Sequence, residues 1–179
     1  MSHPFVDLLR ALEFAAHSHV NQRRKGEAAE PYINHVIEVA RMLAEATNGR
    51  DPELVIAGVL HDTVEDTNTT HEDIEKAFGG EVANLVAEVS DDKSLEKGVR
   101  KRLQVERAPH MSDHAKMIKL ADKTSNLRAI IASPPTSWTP ERQRQYFEWA
   151  REVAHGCRGV NQRLEIWFDE AYASGQPSA

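Results

Sequence analysis

A single cysteine, Cys157, stands in 179 residues, and that scarcity excludes two things. One thiol cannot close an internal disulfide, which fits a reducing compartment. Nor can it build a thiolate metal site, so any metal must be held by histidine and carboxylate. A cationic surplus is missing too: Lys and Arg total 22 against 28 Asp and Glu, a formal charge of −6. A general nucleic-acid binder would be basic overall, so no nucleic-acid partner is expected, though a local basic pocket is still allowed. No apolar run approaches the length that spans a bilayer. The N-terminus lacks the basic region and apolar stretch of a secretory leader. A soluble, cytoplasmic protein without a membrane partner is the expectation. Strand-type alternation, internal repeats, low-complexity segments and interdomain linkers are absent as well.

What is present is helical periodicity. Val6, Leu9, Leu12, Ala16 and Val20 recur at steps of three and four, as do Ile33, Val36, Ile37, Ala40 and Leu43. Asp51-Pro52-Glu53 reads as an N-cap, a proline at the first helical position and an acidic first turn. Thr70-His71-Glu72-Asp73 resembles a capping box, and Gly79-Gly80 closes the short helix it opens. Helices are expected over 81–89, from Ser94 to the break near Pro109, and over 112–131 up to Pro134-Pro135. Thr139-Pro140-Glu141 starts a last long helix carrying Tyr146, Trp149, Val153, Val160, Leu164 and Trp167. The sequence predicts one all-α domain of seven or eight helices over 1–173, with 174–179 as a frayed polar tail.

Against this background one segment stands out. His61-Asp62-Thr63-Val64-Glu65-Asp66 follows the apolar run 54–60, and a packed core has no use for three carboxylates and an imidazole there. Spacing of four places Glu65 over His61 and Asp66 over Asp62 on one helical rim. Two other places supply matching groups. Pro31-Tyr32-Ile33-Asn34-His35 puts an imidazole in the first turn of a helix, and Leu120-Ala121-Asp122-Lys123 puts a carboxylate among apolar residues. A buried Asp122 needs a partner. His35, His61, Asp62 and Asp122 would offer a divalent metal two nitrogens and two oxygens, a set that suits Mn²⁺ and leaves positions open. Glu65 or Asp66 could accept a proton from an attacking water or hand one to a leaving group. Basic groups cluster at Arg23-Arg24-Lys25, around Lys97 to Arg102, at Lys116, Lys119 and Lys123, and at Arg142 with Tyr146 four residues on. In an acidic protein, cations converging on a metal suit a small, highly charged phosphate ester.

Singly, a histidine or aspartate on an apolar face is usually structural, and a charge run is usually a solvated helix face. The adjacent His-Asp with Glu-Asp one turn later is what raises the set above that. Trp138, Trp149 and Trp167 read as packing residues rather than a base-stacking platform.

The ordered set Arg24-Lys25, 31–35, 61–66 and 119–123 with Asn126-Leu127-Arg128 resembles the HD-domain hydrolases of the RelA/SpoT group. Within that group it resembles the small stand-alone alarmone hydrolases, over almost the whole chain. The resemblance implies an all-α HD fold with one Mn²⁺ on His35, His61, Asp62 and Asp122. It implies hydrolysis of the 3′-diphosphate of ppGpp and pppGpp, with Glu65 and Asp66 assisting the water and Asn126 facing the nucleoside. Arg24 and Lys25 would lie against the guanine or phosphates, and Lys97, Arg142 and Tyr146 would hold diphosphate oxygens. Relatives often carry an aromatic residue or histidine before that asparagine, where this chain has Ser125, so a roomier nucleoside pocket is expected. The rival readings are the same fold acting on the 2′-phosphate of NADPH or another nucleotide, and a non-catalytic alarmone sensor. A homo-oligomer is compatible with the sequence.

Overall fold

The computed structural model describes residues 3–175. Among the described residues ten α-helices follow one another: α1 Pro4–Ser18, α2 Ile33–Ala46, α3 Pro52–Leu60, α4 Thr63–Asp66, α5 His71–Phe78, α6 Gly80–Val89, α7 Lys97–Arg107, α8 Asp113–Ala132, α9 Pro140–Gly156 and α10 Gln162–Ser174. Extended backbone among the described residues pairs only at one bridge, Arg23 with Pro31. The all-α class stands, with two more helices than the upper expectation of eight. One is α4, a single turn beyond the break at His61-Asp62. The other arises because the long C-terminal helix splits. Gly159 takes a φ of +93°, and the Asn161 side chain accepts from the amides of Arg163 and Leu164, opening a new helix. The apolar spacing from Val153 through Val160 to Leu164 runs unbroken across that corner, which hid it. Helix α10 continues through Ser174, and the rest of the expected tail, 176–179, lies outside the described residues.

Ser94 does not cap α7; its amide and hydroxyl both bond Asp92 Oδ1, closing a turn that delays the helix to Lys97. Elsewhere the capping signals do what they promise. Asp51 Oδ1 accepts from the Leu54 amide, and Thr70 and Asp73 bond reciprocally as a capping box.

Helix α3 is the axis of the molecule. Every residue from Leu54 to Leu60 is buried, because α1, α2, α6 and α8 pack around it. The α2–α3 approach is close: a Cβ on Gly58 would stand 2.4 Å from Leu43 Cδ1. That closeness brings the start of α2 and the end of α3, each bearing a histidine, to one point. Helix α8 completes the core, with twelve of its twenty residues buried, Asp122 and Lys123 among them. Cys157 is buried between α9 and α10, and burial pushes its thiol up to about 11. At pH 8 about a thousandth of it would be thiolate. Native protein should therefore resist Ellman's reagent and titrate one thiol only in denaturant; prompt labelling of the native state would contradict the packing.

Candidate metal centre and the basic cleft around it

Four elements each bring one group to the same point: His35 from α2, His61 from the end of α3, Asp62 at the start of α4, and Asp122 from the middle of α8. His61 Nε2 lies 3.0 Å from Asp62 Oδ2 and 4.0 Å from Asp122 Oδ1. His35 Nε2 lies 3.6 Å and 3.4 Å from the same two oxygens. His35, His61 and Asp62 form a set whose ligand atoms all fall within 4.8 Å of one another. Yet both Nε2 atoms are buried and make no hydrogen bond among the described residues, even across the 3.0 Å approach to Asp62. Atoms this close that do not bond one another point instead at a common position. Ligand atoms each ~2.1 Å from one ion would show separations of roughly 3–4 Å.

The surrounding bonds free those nitrogens. His61 Nδ1 lies 2.8 Å from the Gly58 carbonyl, which can only accept, so Nδ1 carries the hydrogen and Nε2 faces inward. Asp62 Oδ2 accepts from the Tyr32 hydroxyl at 2.6 Å. Asp122 Oδ1 accepts from Asn126 Nδ2 at 2.5 Å, and Oδ2 pairs with Lys123 Nζ at 2.9 Å. Burial alone would lower the His61 pKa, but the Asp62 and Asp122 carboxylates and the Gly58 carbonyl take it up to about 9. A proton and a cation thus compete for the same pocket of negative charge. Burial works against ionised Asp122 as well; Lys123 and His35 outweigh it and hold the carboxyl far below its usual range.

Glu65 and Asp66 project from α4 beside this centre and are held differently. Asp66 uses both oxygens, Oδ2 accepting from Gln22 Nε2 at 2.8 Å and Oδ1 from Lys93 Nζ at 2.5 Å. Glu65 Oε2 accepts from the Asp91 amide at 3.0 Å, while among the described residues Oε1 has only Lys93, at 3.6 Å. Burial raises the Glu65 carboxyl above its usual value against the pull of the Asp91 amide.

The centre opens onto a cleft of about 750 Å³. Arg24, Lys25, Lys97, Asn126, Arg142 and Tyr146 all line it, together with Glu65 and Asp66, whereas His61 is buried and is not part of the lining. Arg24 and Lys25 reach it because their loop is pinned to the end of α8. The Ala28 amide donates to Ser133 Oγ at 2.9 Å, and a Cβ on Gly26 would stand 2.3 Å from the Ser133 carbonyl oxygen. Although the chain is acidic, the lining holds eleven Lys and Arg against seven Asp and Glu, so the local field is positive. The cations crowd one another. Burial and then Arg142, Lys25 and Arg100 lower the Lys97 pKa, and burial, Lys97, Lys123 and Arg142 lower that of Lys101. A polyanion entering the cleft relieves that repulsion.

Several residues here escaped the sequence reading. Lys93, which bridges Glu65 and Asp66, sat in a polar loop with no signal attached. Tyr32 was inside a quoted motif but had no role. Trp138 and Trp149 line the cleft rather than only packing, with Arg142 4.7 Å over the first ring and Lys101 4.5 Å over the second. Ser125 does not wall a roomier pocket. It is fully buried behind His35, because it lies on the face of α8 that packs against α2.

A family model for the HD domain matches residues 11–153. A Drosophila melanogaster protein named guanosine-3′,5′-bis(diphosphate) 3′-pyrophosphohydrolase MESH1 is 48% identical, the alignment covering 96% of each chain. Its human namesake is 51% identical over 89% of each. Among solved structures, a metazoan SpoT orthologue described as hydrolysing ppGpp superposes with a TM-score of 0.91, at 47% identity over 97% of both chains.

Proposed function

We infer from one premise, that this chain belongs to the HD-domain family and to its metazoan SpoT homologue hydrolases, that it is a guanosine-3′,5′-bis(diphosphate) 3′-pyrophosphohydrolase. The observation that carries the reading is the pair of buried, bondless Nε2 atoms facing two carboxylates at the floor of a crowded cationic cleft. His35, His61, Asp62 and Asp122 would hold one Mn²⁺, their mixed nitrogen and oxygen donors suiting that ion. Bound there, a divalent cation acidifies water and polarises a phosphoryl oxygen.

The chain's own groups account for the rest. Lys97, Lys101 and Arg142 receive the phosphate oxygens, and their mutual repulsion makes a doubly diphosphorylated nucleotide a better guest than a monophosphate. Arg24 and Lys25, on the loop over the cleft, face the nucleotide from the other side. Tyr146, whose phenol is pushed up to about 12 by burial, stays a neutral donor at any working pH. Asn126 orients Asp122 through its amide and lies on the cleft beside the nucleoside. Water attacks the phosphorus attached to the ribose 3′-oxygen. That P–O bond breaks, the water oxygen stays on pyrophosphate, and the 3′-oxygen leaves as a hydroxyl, taking up the proton that the water gives up. Glu65 is the better of the two acidic residues to accept the water's proton. Its Oε1 is the less engaged oxygen, while Asp66 is committed to Gln22 and Lys93. The reaction uses a soluble nucleotide, consistent with a cytoplasmic place of action; among the described residues no helix is long and apolar enough to cross a membrane.

The test is anion-exchange analysis of products after metal-stripped protein meets ppGpp with and without Mn²⁺. GDP and pyrophosphate formed only with Mn²⁺ are expected. Folded, Mn²⁺-loaded protein that leaves ppGpp intact would refute the assignment, and release of phosphate from NADPH in parallel would name its replacement.

A further inference from the structure

Behind His35 stands a short chain of side chains that reaches the cleft edge. Ser125 Oγ donates to Glu38 Oε2 at 2.6 Å and stands 2.8 Å from His35 Nδ1. Glu38 Oε1 in turn accepts from Arg128 at 3.3 Å. A hydroxyl has one proton. With that proton committed to Glu38, Ser125 Oγ can only accept from the ring, so His35 Nδ1 carries the hydrogen. A neutral imidazole protonated at Nδ1 has its lone pair at Nε2, the buried atom without a partner that faces Asp62 and Asp122. On His61 the hydrogen at Nδ1 is held by the Gly58 carbonyl, which no substitution of a side chain removes. His35 depends on two side chains.

We propose that Ser125, with Glu38 behind it, is a positioning residue of this centre: it fixes the Nδ1–H tautomer and the ring direction of His35. The proposal rests on the metal-centre reading above and deepens it. The hydroxyl is fully buried and touches no substrate space, so it acts through His35 alone.

Calorimetric titration of Mn²⁺ into metal-stripped wild type and Ser125→Ala is the test, with chelated samples melted alongside. Losing an outer partner of a metal-bound histidine should raise the Mn²⁺ Kd about 10–100-fold, while the chelated variant still unfolds in one cooperative transition. A long-range ¹H–¹⁵N spectrum of the metal-free histidines supplies a readout that simple packing would not move. His35 should show the Nδ1–H pattern in wild type and mixed tautomers in Ser125→Ala. Glu38→Ala frees the hydroxyl to turn its proton toward the ring. It should weaken Mn²⁺ binding in the same direction, and it serves if Ser125→Ala does not fold. Unchanged Mn²⁺ affinity with an unchanged His35 pattern overturns the positioning role alone. A wild type that binds no Mn²⁺ overturns the metal centre and this role with it.

Discussion

Asp62→Ala is expected to cut hydrolysis of ppGpp by on the order of a thousandfold or more, at saturating Mn²⁺, with the fold retained. One atom explains the size of the effect. Asp62 Oδ2 is the oxygen nearest His61 Nε2, at 3.0 Å, and lies 3.6 Å from His35 Nε2 while accepting from Tyr32 at 2.6 Å. Removing it takes away a charged donor and leaves the Tyr32 hydroxyl, which burial and then Asp62 hold well above its usual pKa, without a partner. That loss should cost about 1–3 kcal/mol of stability. Asp62 is only partly buried and its backbone sits in the loose turn between α3 and α4, so the helices around it have no reason to separate. Steady-state turnover and far-ultraviolet circular dichroism melts on the same preparation decide it. A variant that turns over within tenfold of wild type would remove Asp62 from the centre.

The second large effect belongs to a residue that contacts no substrate in this scheme. Lys123→Met should destabilise the metal-free protein by about 3–5 kcal/mol, because it strands a buried carboxylate. Lys123 Nζ lies 2.9 Å from Asp122 Oδ2, and both side chains are nearly inaccessible. Burial would lower the lysine's pKa, but Asp122 more than reverses it, and each partner keeps the other ionised. For a chain of this size the loss corresponds to roughly 6–20 °C in melting temperature. Two further measurements separate this cause from lost packing. Lys123→Met with Asp122→Asn, which removes both charges, should recover much of the stability. Added Mn²⁺ should stabilise the single variant, since a cation takes over the neutralising role. The sign of the pH dependence follows from the depressed Asp122 carboxyl. The wild-type contribution is full above the ordinary aspartate range and is lost as the pH falls below it. A Lys123→Met protein that melts with the wild type at neutral pH would refute the ion-pair argument.

Much of the molecule was legible without coordinates because the signals were local. Asp51-Pro52 and Thr70 to Asp73 dictate helix starts through bonds that close within three residues, and they appear where expected. The apolar run 54–60 behind the Asp51-Pro52 start was read as a helix, and it is one, with every residue buried. His35, His61, Asp62 and Asp122 each stood out as polar groups in apolar company, a contradiction visible in the string itself. Local patterns also misled: apolar spacing from Val153 to Leu164 bridged a corner that Gly159 and Asn161 in fact make.

The sequence by itself determined the helical class, most helix starts and the polar residues that a core would not tolerate, since each follows from neighbours within one or two turns. Only the tertiary structure decided the distances and bonds between those residues and the partners behind them. Gly58 lets α2 and α3 close until His35 and His61 share a point, and α8 delivers Asp122 from sixty residues away. It turned Ser125 from an expected gap beside the nucleoside into the partner of His35, and Lys93 from a loop residue into the bridge between Glu65 and Asp66. Such contacts join positions whose separation along the chain carries no periodicity, so no pattern of residues can announce them; they exist only when packing has closed the distance.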